Sequence, residues 1–332
     1  MRKWFLMVVS LTAMIVLSRS SCGQSNGAFV EPQSTLLFGG NLLVVTPTGS
    51  FAIPKLPGSF PEISFPLPAL APGADRVASS LRLLDDSRTA ECDPSRPECG
   101  AHRLPQYKSV MGVYSLRDKT WKLYGDLCFV GSAVFSPNGK KIAFKTKTRD
   151  GNSRCDYFPD SAKLMILDLE TGQFTPIPDS GMVRGNAQLS WSPDGKYLAA
   201  EFTRTDTPQG QIVSIEIGSG AQKVIADGIR PSWSPKGDWI AYNIHDGKTC
   251  MLIHPDGTGA KMVLDLQRKS GGWIFYDAAV WSPNEENLLL NEEQIDGHHY
   301  DVTMLDLASG KVTTKSKDGA SVLGWVAEKP CS

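Results

Sequence analysis

Trp191-Ser192-Pro193-Asp194-Gly195-Lys196-Tyr197-Leu198-Ala199-Ala200 reads as the end of one strand, a tight turn and the start of another, and the chain writes it several times. Phe135-Ser136-Pro137-Asn138-Gly139 leads into Lys141-Ile142-Ala143-Phe144, and Trp233-Ser234-Pro235-Lys236-Gly237 into Trp239-Ile240-Ala241-Tyr242. Trp281-Ser282-Pro283-Asn284 leads into Leu288-Leu289-Leu290. Proline presets φ for the first central position of the turn, Asn or Asp suits the next, and glycine takes the positive φ that closes it. The flanking aromatic and β-branched residues favour strands. The aromatic ahead of Ser-Pro supplies bulk against a neighbouring sheet.

A second unit alternates with the first. Leu164 to Asp168 precedes Thr171-Gly172, and Ile212 to Ile217 precedes Ser219-Gly220. Met251 to His254 precedes Asp256-Gly257, and Val302 to Leu307 precedes Ser309-Gly310. Each is strand, turn, strand, so one full repeat is four antiparallel strands, the blade of a β-propeller. A degenerate copy, Leu70-Ala71-Pro72-Gly73-Ala74-Asp75-Arg76-Val77-Ala78, aligns without gaps on Trp191 to Ala199. Met111 to Leu116 and Thr120 to Tyr124 complete its blade, leaving Ser80 to Lys108 as a long excursion. The turn prolines, 72, 137, 193, 235 and 283, stand 65, 56, 42 and 48 residues apart, the shortest interval being that of a bare blade.

Three strand-like runs come first (Leu36–Phe38, Leu42–Thr46, Phe51–Leu56), and a single one, Ser321 to Trp325, comes last. The pattern predicts an all-β fold: a six-bladed propeller of four-stranded blades over residues 35–327, closed by N-terminal strands pairing with the C-terminal strand. Val322 to Trp325 is expected beside Leu36 to Phe38, which leaves no open sheet edge.

With 34 basic and 35 acidic residues among 332, the chain has no electrostatic footprint for nucleic acid or anionic lipid. Residues 1–23 read as an export signal: Arg2 and Lys3, an apolar run from Trp4 to Leu17, then small residues from Ser20 to Gly23. The run is short for a membrane span. Residues 24–34 read as a polar tether and 328–332 as a tail. Cys22-Gly23-Gln24-Ser25 also looks like the start of a mature bacterial lipoprotein, although Arg19 stands where that signal wants a leucine-like residue. Two destinations stay open: an outer-membrane lipid anchor at Cys22, the sole membrane contact expected, or a free periplasmic or secreted protein.

Six more cysteines in an oxidising compartment suggest disulfides. Cys92 and Cys99 bracket a short polar loop. Cys128 precedes an inner strand and Cys155 follows that strand's hairpin partner, so antiparallel pairing brings the two together. Cys250 sits inside a strand and is read as a buried free thiol unless it meets Cys331. No spacing resembles a zinc site.

The repeated Ser-Pro-Asp/Asn-Gly-Lys-x-Ile/Leu-Ala unit resembles the WD40-like repeat of TolB-type propellers, bacterial periplasmic proteins, over roughly residues 35–327. The resemblance implies a non-catalytic partner protein of the cell envelope. TolB carries a separate N-terminal α/β domain, and similar propellers stand in front of the hydrolase domain of prolyl-oligopeptidase-like peptidases. Neither extra domain is expected in this chain.

Catalytic signatures are missing: no Gly-x-Ser-x-Gly elbow, Gly-rich phosphate loop or His-Glu-x-x-His occurs, so neither cofactor nor metal is expected. Asp194-Gly195, Asp246-Gly247 and Asp256-Gly257 mark hairpins rather than calcium loops, which need denser carboxylates. Length variation falls in the loops that enter inner strands and join second to third strands, all on one face, where function concentrates. Three candidates for ligand binding lie there. Gly271-Gly272-Trp273-Ile274-Phe275-Tyr276-Asp277 is either an aromatic docking platform or packing over the blade edge. Arg184 and Arg230 would hold a carboxylate or phosphate, or else pair with Asp277 or another acid. Asp296-Gly297-His298-His299-Tyr300 would bind a metal or a ligand, or its two histidines are merely solvated. The expected function is a monomeric, non-enzymatic module binding an envelope protein, peptide or glycan. The alternatives are a hydrolase or lyase at the channel mouth and a purely structural module.

Overall fold

A computed structural model describes residues 28–33, 42–46, 49–53, 59–61, 69–89 (except 74), 105–148, 163–178, 188–203 and 324–326. It also describes 210–317, apart from 245–246, 268, 270, 276–277 and 296–299. Every regular element among these is a β-strand. Strands β1 (Ala28–Gln33), β2 (Leu42–Thr46) and β3 (Gly49–Ile53) form an antiparallel sheet, and β25 (Gly324–Val326) joins it beside β1. The head and tail of the chain thus share one sheet, with Phe29 opposite Trp325.

The partner segment differs from the sequence reading. It lies inside the stretch 24–34 read as a tether, while Leu36–Phe38 falls outside the described residues. This strand contains Pro32, and proline cannot donate to a ladder. Pro32, however, lies past Val30, the last residue paired to β25, so that edge asks no N–H of it.

Next come β4 (Ser59–Pro61), β5 (Ala69–Leu70), β6 (Arg76–Thr89), β7 (Pro105–Ser115), β8 (Thr120–Phe135), β9 (Lys141–Thr148), β10 (Lys163–Asp168) and β11 (Phe174–Pro176). They form one eight-stranded sheet, because β8 pairs with β7 through its first half and with β9 through its second. The described ends of the expected excursion, 80–89 and 105–108, are strand, with β6 and β7 paired as far as Thr89 and Pro105; 90–104 fall outside the described residues.

Three further sheets follow the repeat. The first holds β12 (Leu189–Trp191), β13 (Tyr197–Thr203), β14 (Gly210–Glu216) and β15 (Gln222–Asp227). The second holds β16 (Ile229–Trp233), β17 (Ile240–Asn243), β18 (Thr249–Ile253) and β19 (Lys261–Asp265). The third holds β20 (Trp273–Phe275) and β21 (Val280–Trp281), both paired to β22 (Asn287–Gln294), then β23 (Tyr300–Asp306) and β24 (Val312–Lys317).

The core lies between sheets. Ala143, Leu164 and Ile166 of one sheet pack with Trp191, Leu198 and Ile215 of the next, and Ala241, Cys250 and Leu252 pack with Phe275, Trp281 and Leu288. The repeat's alanines are fully buried at these contacts, where a larger side chain would hold the sheets apart.

Its tryptophans do more than fill space. Trp191 donates its indole N–H to the Val134 carbonyl at 3.1 Å, and Trp281 donates to Ser232 at 3.0 Å, each bonding to the preceding inner strand. Trp233 departs from this pattern. Its main-chain N–H donates to Ser190 Oγ at 2.8 Å, while its indole turns back to Gly237 and stacks near Tyr197.

Serine completes the turn. Its Oγ accepts the main-chain N–H five residues on, at 2.9 Å in Ser136, Ser192 and Ser282 and 3.1 Å in Ser234. The same hydroxyl donates to Asn138, Asp194 or Asn284, whose Oδ1 accepts a second turn N–H. The degenerate copy has Ala71 in place of serine yet keeps the main-chain bond, from Ala71 N–H to the Arg76 carbonyl at 2.9 Å.

Candidate functional site

The two ends of the sheets differ in chemistry. At the turn end the polar groups serve the turns. The Ser192 hydroxyl, then the Lys196 N–H, hold the Asp194 carboxyl below the usual carboxylate range. The Thr258 hydroxyl and N–H do the same for Asp256. In the second unit, Asp168 is lowered first by the Thr171 N–H and Asp306 by the Ser309 N–H. Carboxylates committed in this way close the turns. Asp246 falls outside the described residues.

At the loop end, Arg230 sits in a β-bulge between β16 and β17 with φ of 58°, a left-handed conformation rare outside glycine. The bulge aims its guanidinium across the seam to the next sheet, where Nη1 donates to the Phe275 carbonyl. Phe275 in turn donates its N–H to the Gly247 carbonyl at 2.6 Å. Arg230 therefore ties two sheets together at the face.

The aromatic loop resolves into strand. Trp273–Phe275 pairs with Glu292–Gln294, which makes it the upper part of an inner strand interrupted before Val280. Phe275 is fully buried and cannot belong to a docking platform, so for that ring the packing alternative holds. Trp273 is half-buried against the same core cluster. Arg230 and Trp273 come to the same seam. Arg184, Tyr276, Asp277, His298 and His299 lie outside the described residues.

The sequence reading missed the charged centre of this seam. Glu292 and Asp301 stand directly opposite each other on β22 and β23. Like charges so placed repel, and both side chains are buried. Lys269, in the connector between β19 and β20, answers them: its Nζ lies 2.6 Å from Glu292 Oε2 and 3.2 Å from Asp301 Oδ2. Thr303 donates its hydroxyl to Glu292 Oε1 at 2.5 Å. The ammonium also lies 3.4 Å from the centre of the Trp273 ring, a cation–π contact. The available signal was weak: Asn291-Glu292-Glu293 stands where other copies carry Lys145-Thr146-Lys147 and Glu201-Phe202-Thr203, so charge there is not unusual in the repeat. Reading it required the register that sets Glu292 against Asp301.

Nearby, Asn243 is buried with its Nδ2 unpartnered, directly across the ladder from Cys250. Cys250 is a buried free thiol, as expected, and burial pushes it up to about 12, so it is inert as a nucleophile. Cys22, Cys92, Cys99, Cys155 and Cys331 fall outside the described residues, as does the side chain of Cys128. Among the described residues no three His, Cys, Asp or Glu side chains converge as a metal site would require.

These sheets, joined head to tail, define a multi-blade β-propeller of the TolB-like kind. The chain is similar in fold to TolB from Acinetobacter baumannii (TM-score 0.62, 14% identity, covering 92% of this chain and 68% of that one). It is also similar to a chain of a nidogen/laminin complex (TM-score 0.56, 12% identity, 91% and 98% covered). Puromycin hydrolase matches at a TM-score of 0.54 and 15% identity, with 92% of this chain but 46% of that one covered. At such identities the likeness is one of fold. No protein-family model matches the sequence, and no curated protein does.

Proposed function

We propose that the protein is a non-enzymatic, exported propeller that binds a protein or peptide of the bacterial cell envelope through its loop-bearing face. The observation that carries this reading is the contrast between the two ends. Turn-end carboxylates are consumed in closing hairpins, whereas the loop end presents a half-buried tryptophan, a bulged arginine and a charged cluster on one seam. Aromatic and arginine side chains on a rigid scaffold are the usual anchors of protein recognition. The likeness to TolB and to the nidogen/laminin chain is in keeping with a protein-binding role. We take the eight-stranded sheet as two blades joined through β8, which makes six blades in all. We also read residues 1–23 as an export signal, with Cys22 lipidated or not, and Cys128–Cys155 as a disulfide.

The test is recovery of partners from envelope extract by the mature protein and by a Trp273→Ala/Arg230→Ala variant of matched folding. Loss of specific partners in the variant is expected. Equal recovery would sink the choice of face. Intact mass of the native protein, before and after reduction, reports the acyl chain and the disulfides.

A further inference from the structure

We propose that Glu292, Asp301 and Trp273 form a binding cage for a primary ammonium group, a lysine side chain of the bound partner, and that Lys269 fills this cage in the free protein as a tethered substitute. The inference rests on the loop-face reading above and names the chemistry that face recognises.

Three observations carry it. First, the walls belong to strands whose pairing does not involve Lys269: Glu292 and Asp301 are fixed by the β22–β23 register, Trp273 by its pairing with Gln294. Second, the occupant comes from a connector. Within the connector, Lys269 N–H bonds only as far back as Leu266, and two glycines with φ of 100° and 66°, Gly271 and Gly272, follow before the strand starts. Third, the cage is open. Among the described residues one ammonium faces the two carboxylates, and the Lys269 side chain is 30% exposed where Glu292 is 1% exposed. Two carboxylates and an indole face already select an ammonium here, as the resident one shows.

An internal occupant lowers the apparent affinity for an external one, because the competent state is only fractionally populated. Removing the lysine should therefore strengthen binding rather than weaken it. That outcome is opposite to what a purely structural ion pair predicts.

The experiment titrates the full-length mature protein with acetyl-Gly-Lys-Gly-amide and with its norleucine analogue. Lys269→Ala is expected to bind the lysyl peptide about tenfold tighter than wild type, as release from a tethered competitor implies. The norleucine peptide should bind neither protein, and Lys269→Ala/Glu292→Gln should lose the lysyl peptide. Equal or weaker binding by Lys269→Ala, or equal binding of the two peptides, overturns the proposal. Should Lys269→Ala fail to fold, wild-type hydrogen exchange decides. The Lys269 amide should exchange faster with saturating lysyl peptide and not with norleucine, and an unchanged rate rejects the cage. If the cage fails while Trp273→Ala/Arg230→Ala still loses partners, the loop-face reading stands alone. If that variant keeps them, the face itself was misassigned.

Discussion

The turn between Ser192 and Tyr197 and the seam between Lys269 and Trp273 handle buried polar groups in opposite ways. In the turn, the Ser192 and Asp194 side chains find their partners within five residues, so this network is local and repeats with little change. In the seam, Lys269 reaches residues 23 and 32 positions away, and Arg230 one 45 positions away. Local closure gives a rigid, uniform end. Long-range closure gives an end whose chemistry differs from sheet to sheet, as a specific binding surface requires.

The largest effect is expected where the two ends share a scaffold. Trp281→Ala removes a buried ring and its bond to Ser232, and should lower stability by about 4 kcal/mol in a denaturant titration. Trp281→Phe should recover most of the packing but not the hydrogen bond. A loss below that of a surface substitution would mean the tryptophans are not cross-links between sheets. At the seam, Glu292→Ala leaves Asp301 and Lys269 with a broken network and should lose about 3 kcal/mol. Local unfolding there should show as faster hydrogen exchange in β20 and β23, with the turns unaffected.

The local network of the turn is tested by Ser192→Ala, which orphans the Tyr197 N–H and should lose about 1–2 kcal/mol. Equal loss at Ser192 and Ser282 would sharpen the claim of equivalence.

Two neighbouring turns sharpen it further. Ser234-Pro235-Lys236-Gly237 lacks the Asx, and Glu285 occupies the next turn's glycine position with φ of 63°. The Glu285 carboxylate accepts the Lys236 N–H, so each turn's departure is tied to the other's. Glu285→Gly relieves backbone strain worth about 1 kcal/mol but orphans that N–H. Lys236→Asp supplies what Asp194 gives its own turn, an acceptor for the serine hydroxyl and for the N–H two residues on, but sets a second carboxylate against Glu285, a repulsion that Glu285→Gly removes. The double variant should therefore exceed the sum of the single ones in thermal midpoint. Simple additivity would break the link.

The smallest effect concerns pH. Turn carboxylates held below their ordinary range contribute stability that is present above about pH 4 and lost as pH falls through their folded values. Asp194→Asn keeps the acceptor, as Asn138 and Asn284 do naturally. It should change little at pH 7 while flattening the acid limb of a stability–pH profile.

Much of the fold was legible because its determinants are local. Pro193, Asp194 and Gly195 specify a turn whatever surrounds them, and an apolar run on either side specifies strands. Even Ala71-Pro72-Gly73, stripped of its serine, keeps the turn's main-chain bond, so a degenerate copy was readable. Strands that need a distant partner were harder. Ala28–Gln33 carries Glu31 and Pro32 and becomes a strand only because Gly324–Val326 and Leu42–Thr46 flank it. Residues 81–84 are ordered by pairing with 107–110, and Thr89 by pairing with Pro105.

The sequence by itself determined that this chain makes repeated antiparallel hairpins that build sheet after sheet, since hairpin geometry is written within five or six residues. Tertiary structure alone decided what meets at the loop-bearing end. A glutamate, an aspartate and a lysine spread over 33 residues become one cluster only when register sets two strands opposite each other and a connector folds back over them. Charge acts through space, and no spacing along the chain encodes that distance.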